Sequence, residues 1–377
     1  VSASYAGESF GLPLLPVPDV LGALQELARQ KVAESGARIV AVTGSVGKTT
    51  TKEFTAALLQ GSYRVGKTPG NANSQTGVPL TILNAQGDEE VLVLEMGMSR
   101  EGEMARLVAI APPEIALLTK IGVSHAHYFP DGVAGIAREK TQIFSHPRTR
   151  VRIAHSSTRA FLAAGKACVL YGAEGDYQLQ TEGSCVVIVE RREKSPAIRL
   201  PVTATHIREN FLAAVTIARS MGVEWEEVQE RARALAPYRM RFEVVERQGV
   251  VFINDAYNAS PESMRAALAN LPAPASGGRR VAVFGEMKEL GVYAESAHRE
   301  IAEESLRLID HLLCLGEGCA PMEEVFLRAG RPVNRFADRA LLRESLRSLV
   351  RPGDVVLIKG SRSNGLWSLL EEMECSS

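Results

Sequence analysis

No stretch of this chain carries the roughly 20 consecutive apolar residues of a membrane-spanning helix. No signal-like apolar segment follows Val1, so membrane insertion is not expected. Charge of one sign is also missing. The 43 Lys and Arg nearly cancel the 44 Asp and Glu, leaving −1, which argues against a nucleic-acid binder working through bulk positive charge. Cysteine is scarce. Cys168, Cys185, Cys314, Cys319 and Cys375 are odd in number and form no C-x-x-C pair. A disulfide framework or zinc ribbon is therefore not expected, and a reducing cytoplasm fits. Cys314, in the apolar run HLLCL, reads as a buried structural thiol. The histidines are scattered apart from His125-Ala126-His127. That pair lacks the i, i+4 spacing of a helical zinc site and taken alone reads as polar loop. Internal repeats and low-complexity tracts are absent. What is there is globular: 377 residues, 45% hydrophobic and 23% charged, or two to three domains at about 150 residues each.

The apolar pattern alternates between strand and helix. Residues 17–34 have helical spacing with Asp19 as N-cap, and RIVAV (38–42) reads as a buried strand. A Gly-rich turn leads into the helical stretch 50–60, and VLVLE (91–95) and IALLT (115–119) are further strands around the helical segment 102–110. Such alternation predicts an α/β fold with a parallel sheet. Residues 150–203 change character. The pieces ACVLYG, SCVVIVE and AIRLPV predict a small antiparallel part. Helices are predicted at 206–222 and 225–235. Beyond about residue 240, strands at 250–253, 280–284, 311–315, 332–336 and 354–358 alternate with helices at 261–271, 293–309, 320–329 and 339–349. This predicts a second doubly wound α/β unit. Pro237 marks the expected hinge.

The strongest local signal is Thr43-Gly44-Ser45-Val46-Gly47-Lys48-Thr49-Thr50, after a buried strand and before a helix. Its glycines let backbone N–H groups face an anion, and the helix N-terminus adds partial positive charge. Lys48 can reach the β- and γ-phosphates of a nucleotide, and the Thr49 hydroxyl can hold Mg²⁺. The loop is a short form, because the standard six-residue spacing would need Gly where Val42 stands. Glu95 ends a strand at the edge where α/β sheets bind ligands, so it is a candidate to hold Mg²⁺, although an isolated strand-end Glu reads first as a solvated turn. His125 follows another strand end. Lys140, by position alone, reads as a surface lysine. Asn71, Asn73, Ser74 and Gln75 cluster in the loop 68–79, which suits recognition of a polar ligand.

These residues fall in ordered motifs along nearly the whole chain: TGSVGKTTTKE (43–53), TPGNANSQTGVPLT (68–81), LEMGMSREGE (94–103), IGVSHAHYF with GIAREKTQIF (121–144), HIRENFLAA (206–214), NDAYNASPESMRAAL (254–268), GEMKELGVYAESAHREI (285–301) and KGSRSNGL (359–366). On them the chain resembles the Mur ligases, and within that family the branch that adds a dipeptide. The resemblance implies a P-loop ATPase-type central domain, mostly parallel with a small antiparallel part. A Rossmann-like C-terminal domain follows it. The expected boundaries are 1–29 for a remnant of an N-terminal UDP-substrate domain, 30–236 for the ATP domain and 237–377 for the ligase domain. Only the last strand and linker of the N-terminal domain are expected here, so the chain is expected to begin inside a longer architecture.

The implied activity is ATP-dependent amide formation in bacterial peptidoglycan precursor synthesis. D-alanyl-D-alanine joins UDP-N-acetylmuramoyl-tripeptide through an acyl phosphate, in the cytoplasm, by a monomer. The resemblance implies ATP and two Mg²⁺ ions as cofactors. By matching positions, Gly44, Ser45, Val46, Gly47, Lys48, Thr49 and Thr50 bind ATP phosphates. Asn210 lies near the adenine, Arg241 on the nucleotide phosphates and Asp255 near the ribose. Thr49, Glu95, His125 and a carbamylated Lys140 form the metal site, with Lys48 beside them in the chemistry. Asn71, Asn73 and Ser74 are expected on the substrate, and Asn258, Ser260, Ser361 and Ser363 on the dipeptide. The chain departs from the pattern at Met240, where the family has Gly, and at Ser260, where it has Asn. One residue is added near Phe129-Pro130. Two other readings fit parts of the pattern: another amide ligase of the folylpolyglutamate type, or a nucleotide-binding regulatory module without ligase chemistry.

Overall fold

The computed structural model of the chain describes residues 1–2, 4–9, 11–236 and 238–374. Pro237, the expected hinge, and Cys375 lie outside the described residues. Two compact units emerge: Val1–Ile121 with Ala137–Pro201 and Arg208–Leu235, and Gly122–Ile136 with Val202–Ile207 and Ala236–Ser377.

The first unit opens with α1 (Val20–Ser35), capped as expected by Asp19, whose Oδ1 accepts the Gly22 N–H at 3.0 Å. There follow β1 (Arg38–Thr43), α2 (Lys48–Leu59), β2 (Val65–Lys67), α3 (Gly77–Leu83), β3 (Val91–Glu95), α4 (Glu103–Ile110) and β4 (Ile115–Leu118). After α5 (Gly132–Lys140), of which only Ala137–Lys140 belong to this unit, come β5 (Val151–His155), β6 (Val169–Tyr171), β7 (Tyr177–Glu182), β8 (Cys185–Glu190), β9 (Glu193–Lys194) and β10 (Ile198–Arg199). Helices α6 (Thr205–Ser220) and α7 (Trp225–Ala232) complete the series. The sheet order is β10-β8-β7-β6-β5-β4-β1-β3-β2, with β9 paired to β8. Strands β1, β3 and β4 are buried almost throughout, which is why they read as continuous apolar runs.

The antiparallel expectation for 150–203 is correct only in part. Strand β6, from ACVLYG, pairs parallel with β5. The chain between them, 156–168, is long enough for the crossover that parallel pairing needs. The antiparallel part begins at β7 and β8, joined by the two-residue turn Gly183-Ser184, with Gly183 at φ 59°.

The second unit holds β11 (Glu243–Arg247), β12 (Val250–Asn254), α8 (Pro261–Ala269), β13 (Arg280–Gly285), α9 (Ala294–Ser305), β14 (His311–Leu315), α10 (Ala320–Arg328), β15 (Val333–Phe336), α11 (Arg339–Leu349), β16 (Val355–Lys359) and α12 (Leu369–Glu374). Its order is β11-β12-β16-β13-β14-β15, parallel except for β11 on β12. That hairpin turns at Gln248-Gly249, both with positive φ, the twist a tight hairpin requires. Val281, Val283, Leu313, Val356 and Ile358 from the strands pack with Leu342 and Leu346 of α11 in one core. Cys314 is fully buried, as its apolar run predicts. No helix among the described residues is long and apolar enough to cross a membrane.

Candidate active site

The turn from β1 into α2 lies beside the C-terminal ends of β3 and β4, because β1 pairs with both. This is a point where successive connections leave the sheet in opposite directions, the usual place for a ligand crevice. Two glycines are dictated there by close approach. A Cβ on Gly44 (φ 144°) would fall into the Thr119 hydroxyl, and one on Gly47 (φ 86°) into the side-chain oxygen of Asn210. Residues just after β4 hold the loop. Thr119 N–H donates to Thr43 O at 2.8 Å, Ser45 N–H to Lys120 O at 2.7 Å, and Thr119 Oγ1 to Val46 O at 2.6 Å. Lys48 Nζ lies over the loop and donates to Gly44 O at 2.7 Å. Thr49 and Thr50 are buried in the first turn of α2. The structure thus gathers residues 44–50 and Asn210, with Asn210 against the phosphate loop itself.

Glu95 is 1% exposed, so the solvated-turn alternative is excluded. Its register partner is Val42, just before the loop. Oε1 accepts from Asn73 Nδ2 at 2.7 Å, and its backbone N–H donates to Thr68 Oγ1 at 2.9 Å. Its other carboxylate oxygen, Oε2, is buried with no hydrogen-bond donor among the described residues. A buried acceptor left this way is costly and suits an oxygen-seeking cation. The polar residues of 68–79 therefore divide by role. Asn73 orients Glu95. Ser74 Oγ accepts the Gly77 N–H at 3.1 Å at the start of α3. Gln75 Nε2 donates to Glu103 O at 2.9 Å. Asn71 is exposed.

Sequence reasoning missed what holds this loop. Lys52, fully buried in α2, donates to Thr68 O at 2.6 Å and Gly70 O at 2.7 Å, and pairs with Glu53 at 2.8 Å. The only signal was a lysine on the apolar face of a helix.

The surface reading of Lys140 from position alone is wrong: it is 1% exposed. Burial, and then the charge of Lys48, push its amine well below the usual lysine range, against the opposing pull of Glu139. The Glu139 carboxylate is occupied by the N–H groups of Gly102 (3.0 Å) and Met104 (2.7 Å).

In the second unit, His125 adopts φ 67° and its Nδ1 lies 2.5 Å from Glu289 Oε2. The adjacent His125 imidazole holds the Glu289 carboxyl below its ordinary range, in spite of partial burial. The Arg241 guanidinium stacks 3.9 Å over the Tyr257 ring. It follows Met240, which takes φ 60° where glycine would be unstrained. Asp255 is committed to neighbours: Oδ2 to Lys359 at 2.6 Å and Oδ1 to the Phe242 N–H at 3.0 Å. Lys359, 2% exposed, also donates to Asn258 O at 3.1 Å. Sequence reasoning missed it as well, although a lysine closing an otherwise apolar strand is a visible signal. Ser260 is the N-cap of α8 and forms a capping box with Ser263, a position that suits Ser and Asn alike. Ser361 Oγ accepts the Lys288 N–H at 2.9 Å, and Ser363 is exposed. Among the described residues, no three His, Cys, Asp or Glu side chains gather as a metal-binding group.

A glycine-pinched phosphate loop on a parallel sheet, with a buried carboxylate beside it, defines a nucleotide-using α/β enzyme. Residues 42–218 match the Mur ligase middle domain and 240–362 the Mur ligase glutamate ligase domain, and the chain belongs to the Mur ligase family. The UDP-N-acetylmuramoyl-tripeptide–D-alanyl-D-alanine ligase of Bacillus subtilis is 33% identical over 370 residues, covering 95% of this chain and 80% of that one. The crystal structure of MurF from Acinetobacter baumannii superposes with a TM-score of 0.84 at 27% identity, covering 95% of this chain and 81% of that one. MurF ligase from Thermotoga maritima in complex with ADP gives 0.81 at 30% identity, covering 96% and 85%.

Proposed function

We propose that this enzyme joins D-alanyl-D-alanine to UDP-N-acetylmuramoyl-tripeptide at the expense of ATP, in bacterial peptidoglycan precursor synthesis. The observation that carries the reading is the phosphate loop beside the buried, half-unsatisfied carboxylate of Glu95, in a chain so similar to ligases of that name. The terminal carboxylate of the tripeptide attacks the γ-phosphorus, ADP leaves, and an acyl phosphate forms. The dipeptide amine then attacks the acyl carbon, phosphate departs from the tetrahedral intermediate, and the nitrogen loses a proton to give the amide.

Two anions meet in the first step. Lys48, moving from the loop carbonyls to the phosphates, offsets their repulsion. Glu95 Oε2 and the Thr49 hydroxyl are oxygen donors that suit Mg²⁺, and His125 is a further ligand in this proposal. Bound there, Mg²⁺ would supply charge neutralisation on the transferred phosphoryl group. Carbamylation makes Lys140 another oxygen ligand. Its nitrogen attacks the carbon of CO₂ and releases a proton, a reaction that needs the neutral amine which burial favours. Asn210 and the loop hold the nucleotide, with Arg241 on its phosphates and Asp255 near the ribose. Asn71, Asn73 and Ser74 serve the tripeptide side directly or through Glu95. Asn258, Ser260, Ser361 and Ser363 form the dipeptide side. The protein acts as a cytoplasmic monomer.

Phosphate release tests this. ATP, UDP-N-acetylmuramoyl-tripeptide and D-alanyl-D-alanine together should give turnover that single amino acids or folates in place of the dipeptide do not. Release with a folate substrate, or nucleotide binding without any acyl transfer, would move the assignment to one of the other readings. Lys48→Ala should abolish ligation.

A further inference from the structure

Lys120 and His155, which lie outside the family motifs, and Glu209, which lies within HIRENFLAA without an assigned role, form a chain along the edge of the sheet that carries the phosphate loop. Lys120, two residues past β4, pairs with Glu209 of α6. Glu209 Oε1 lies 2.9 Å from His155 Nε2, at the end of β5. His155 Nδ1 accepts the Ser157 N–H at 3.1 Å, which leaves Nε2 as the donor toward Glu209. The Tyr171 ring meets the His155 edge with centroids 5.1 Å apart, and Gly172, at φ 114°, leaves the room that His155 occupies. Burial works against an ionised Glu209, yet the His155 hydrogen bond and the Lys120 charge outweigh it and hold the carboxyl at about 2.

This chain of contacts matters because of what Lys120 does with its backbone. Its carbonyl accepts the Ser45 N–H, and its neighbour Thr119 holds both Thr43 and Val46. Residues 119 and 120 are thus the bracket on which the phosphate loop hangs. The residue after Glu209, Asn210, presses on the loop itself at Gly47. One helix therefore grips the loop directly through Asn210 and its bracket through Glu209.

We propose that Glu209 is a positioning residue for the nucleotide: by tying Lys120 to His155 it fixes the bracket 119–120 and with it the N–H groups that receive the phosphates. This rests on the ATP-binding reading of the loop. Loss of the tether loosens the bound nucleotide. The chemical step, carried by Lys48 and its neighbours, is left in place once ATP saturates.

The test compares the full chain with Glu209→Gln, Lys120→Met and the double variant. ADP affinity is measured by calorimetry, ATP KM and kcat by phosphate release, and folding by thermal melting. Each single variant should raise the ADP Kd and the ATP KM about tenfold, the scale of one charge-assisted contact, with kcat at saturating ATP within about twofold. Because both break the same tether, the double variant should be no weaker than the weaker single. Unchanged ADP affinity in Lys120→Met, the variant less disturbing to the fold, overturns the inference. So does a fall in kcat without a change in KM, or additive losses in the double variant. Failure of the wild-type protein to bind ADP would overturn the nucleotide reading and the inference together. Wild-type binding with unchanged variants overturns the inference alone.

Discussion

Lys52→Met is the most exacting probe of how the candidate site is held. Methionine keeps most of the buried stem and removes the ammonium group. Two carbonyl acceptors, Thr68 O and Gly70 O, lose donors at 2.6 and 2.7 Å. Glu53 does not become an orphan, since Lys67 still pairs with it at 2.5 Å. Hydrogen bonds to a charged group contribute about 1.5–3 kcal/mol each, so the gross loss is about 3–6 kcal/mol. Relief of a buried charge returns part of this, which leaves a net destabilisation of about 3 kcal/mol. The protein has two tryptophans, Trp225 in the first unit and Trp367 in the second. In a Trp367→Phe background, fluorescence reports the unit that contains Lys52, so urea unfolding can be read there alone. The loop freed by the substitution carries Asn73, so Glu95 should lose its orienting contact and ligation should fall even where the unit stays folded. A stability change below about 1 kcal/mol with full ligation would refute the reasoning.

Other expectations follow from single groups. If Lys140 works as a carbamate, phosphate release should decline after CO₂ is stripped from the buffer and return with bicarbonate, and Lys140→Ala should lose about 100-fold in ligation; insensitivity to bicarbonate with full activity of the variant would count against it. Met240→Gly should stabilise the second unit by about 0.5–1 kcal/mol, because φ 60° strains a residue with a Cβ; a lower urea midpoint would contradict this. Glu209 is held at about 2 against an ordinary 4.5. Its contribution is then fully present above pH 4.5 and is lost as pH falls toward 2. Wild-type stability should therefore drop more steeply over that window than that of Glu209→Gln, and parallel curves would exclude the coupling.

Much of the fold was legible because buried parallel strands show themselves as apolar runs. VLVLE and HLLCL lie within the β3 and β14 limits without adjustment. The strands missed were those whose residues alternate or carry charge: β5 is VRIAH and β7 is YQLQTE. Neither has an apolar run, and the sheet, not the local pattern, makes them strands. The phosphate loop was legible because glycine reports backbone geometry. Lys140, Lys52 and Lys359 were not legible from composition, because a lysine is normally exposed and only tertiary packing shows that these are enclosed. The tether through Glu209 was invisible for a different reason. Lys120, His155 and Glu209 are far apart in the chain and belong to no local spacing.

The order of the first sheet also bears on how the protein behaves in a crowded solution. Its longest strands are interior, while one edge is β2, three residues, and the other is β10, two residues. Exposed edges are the usual templates for strand addition and aggregation. A foreign strand arriving at either edge would find only two or three residues of ladder to bind, and at β2 it would meet the exposed Lys67. The sheet is extended by eight interior and branching strands, yet offers almost nothing at its margins on which a second sheet could grow.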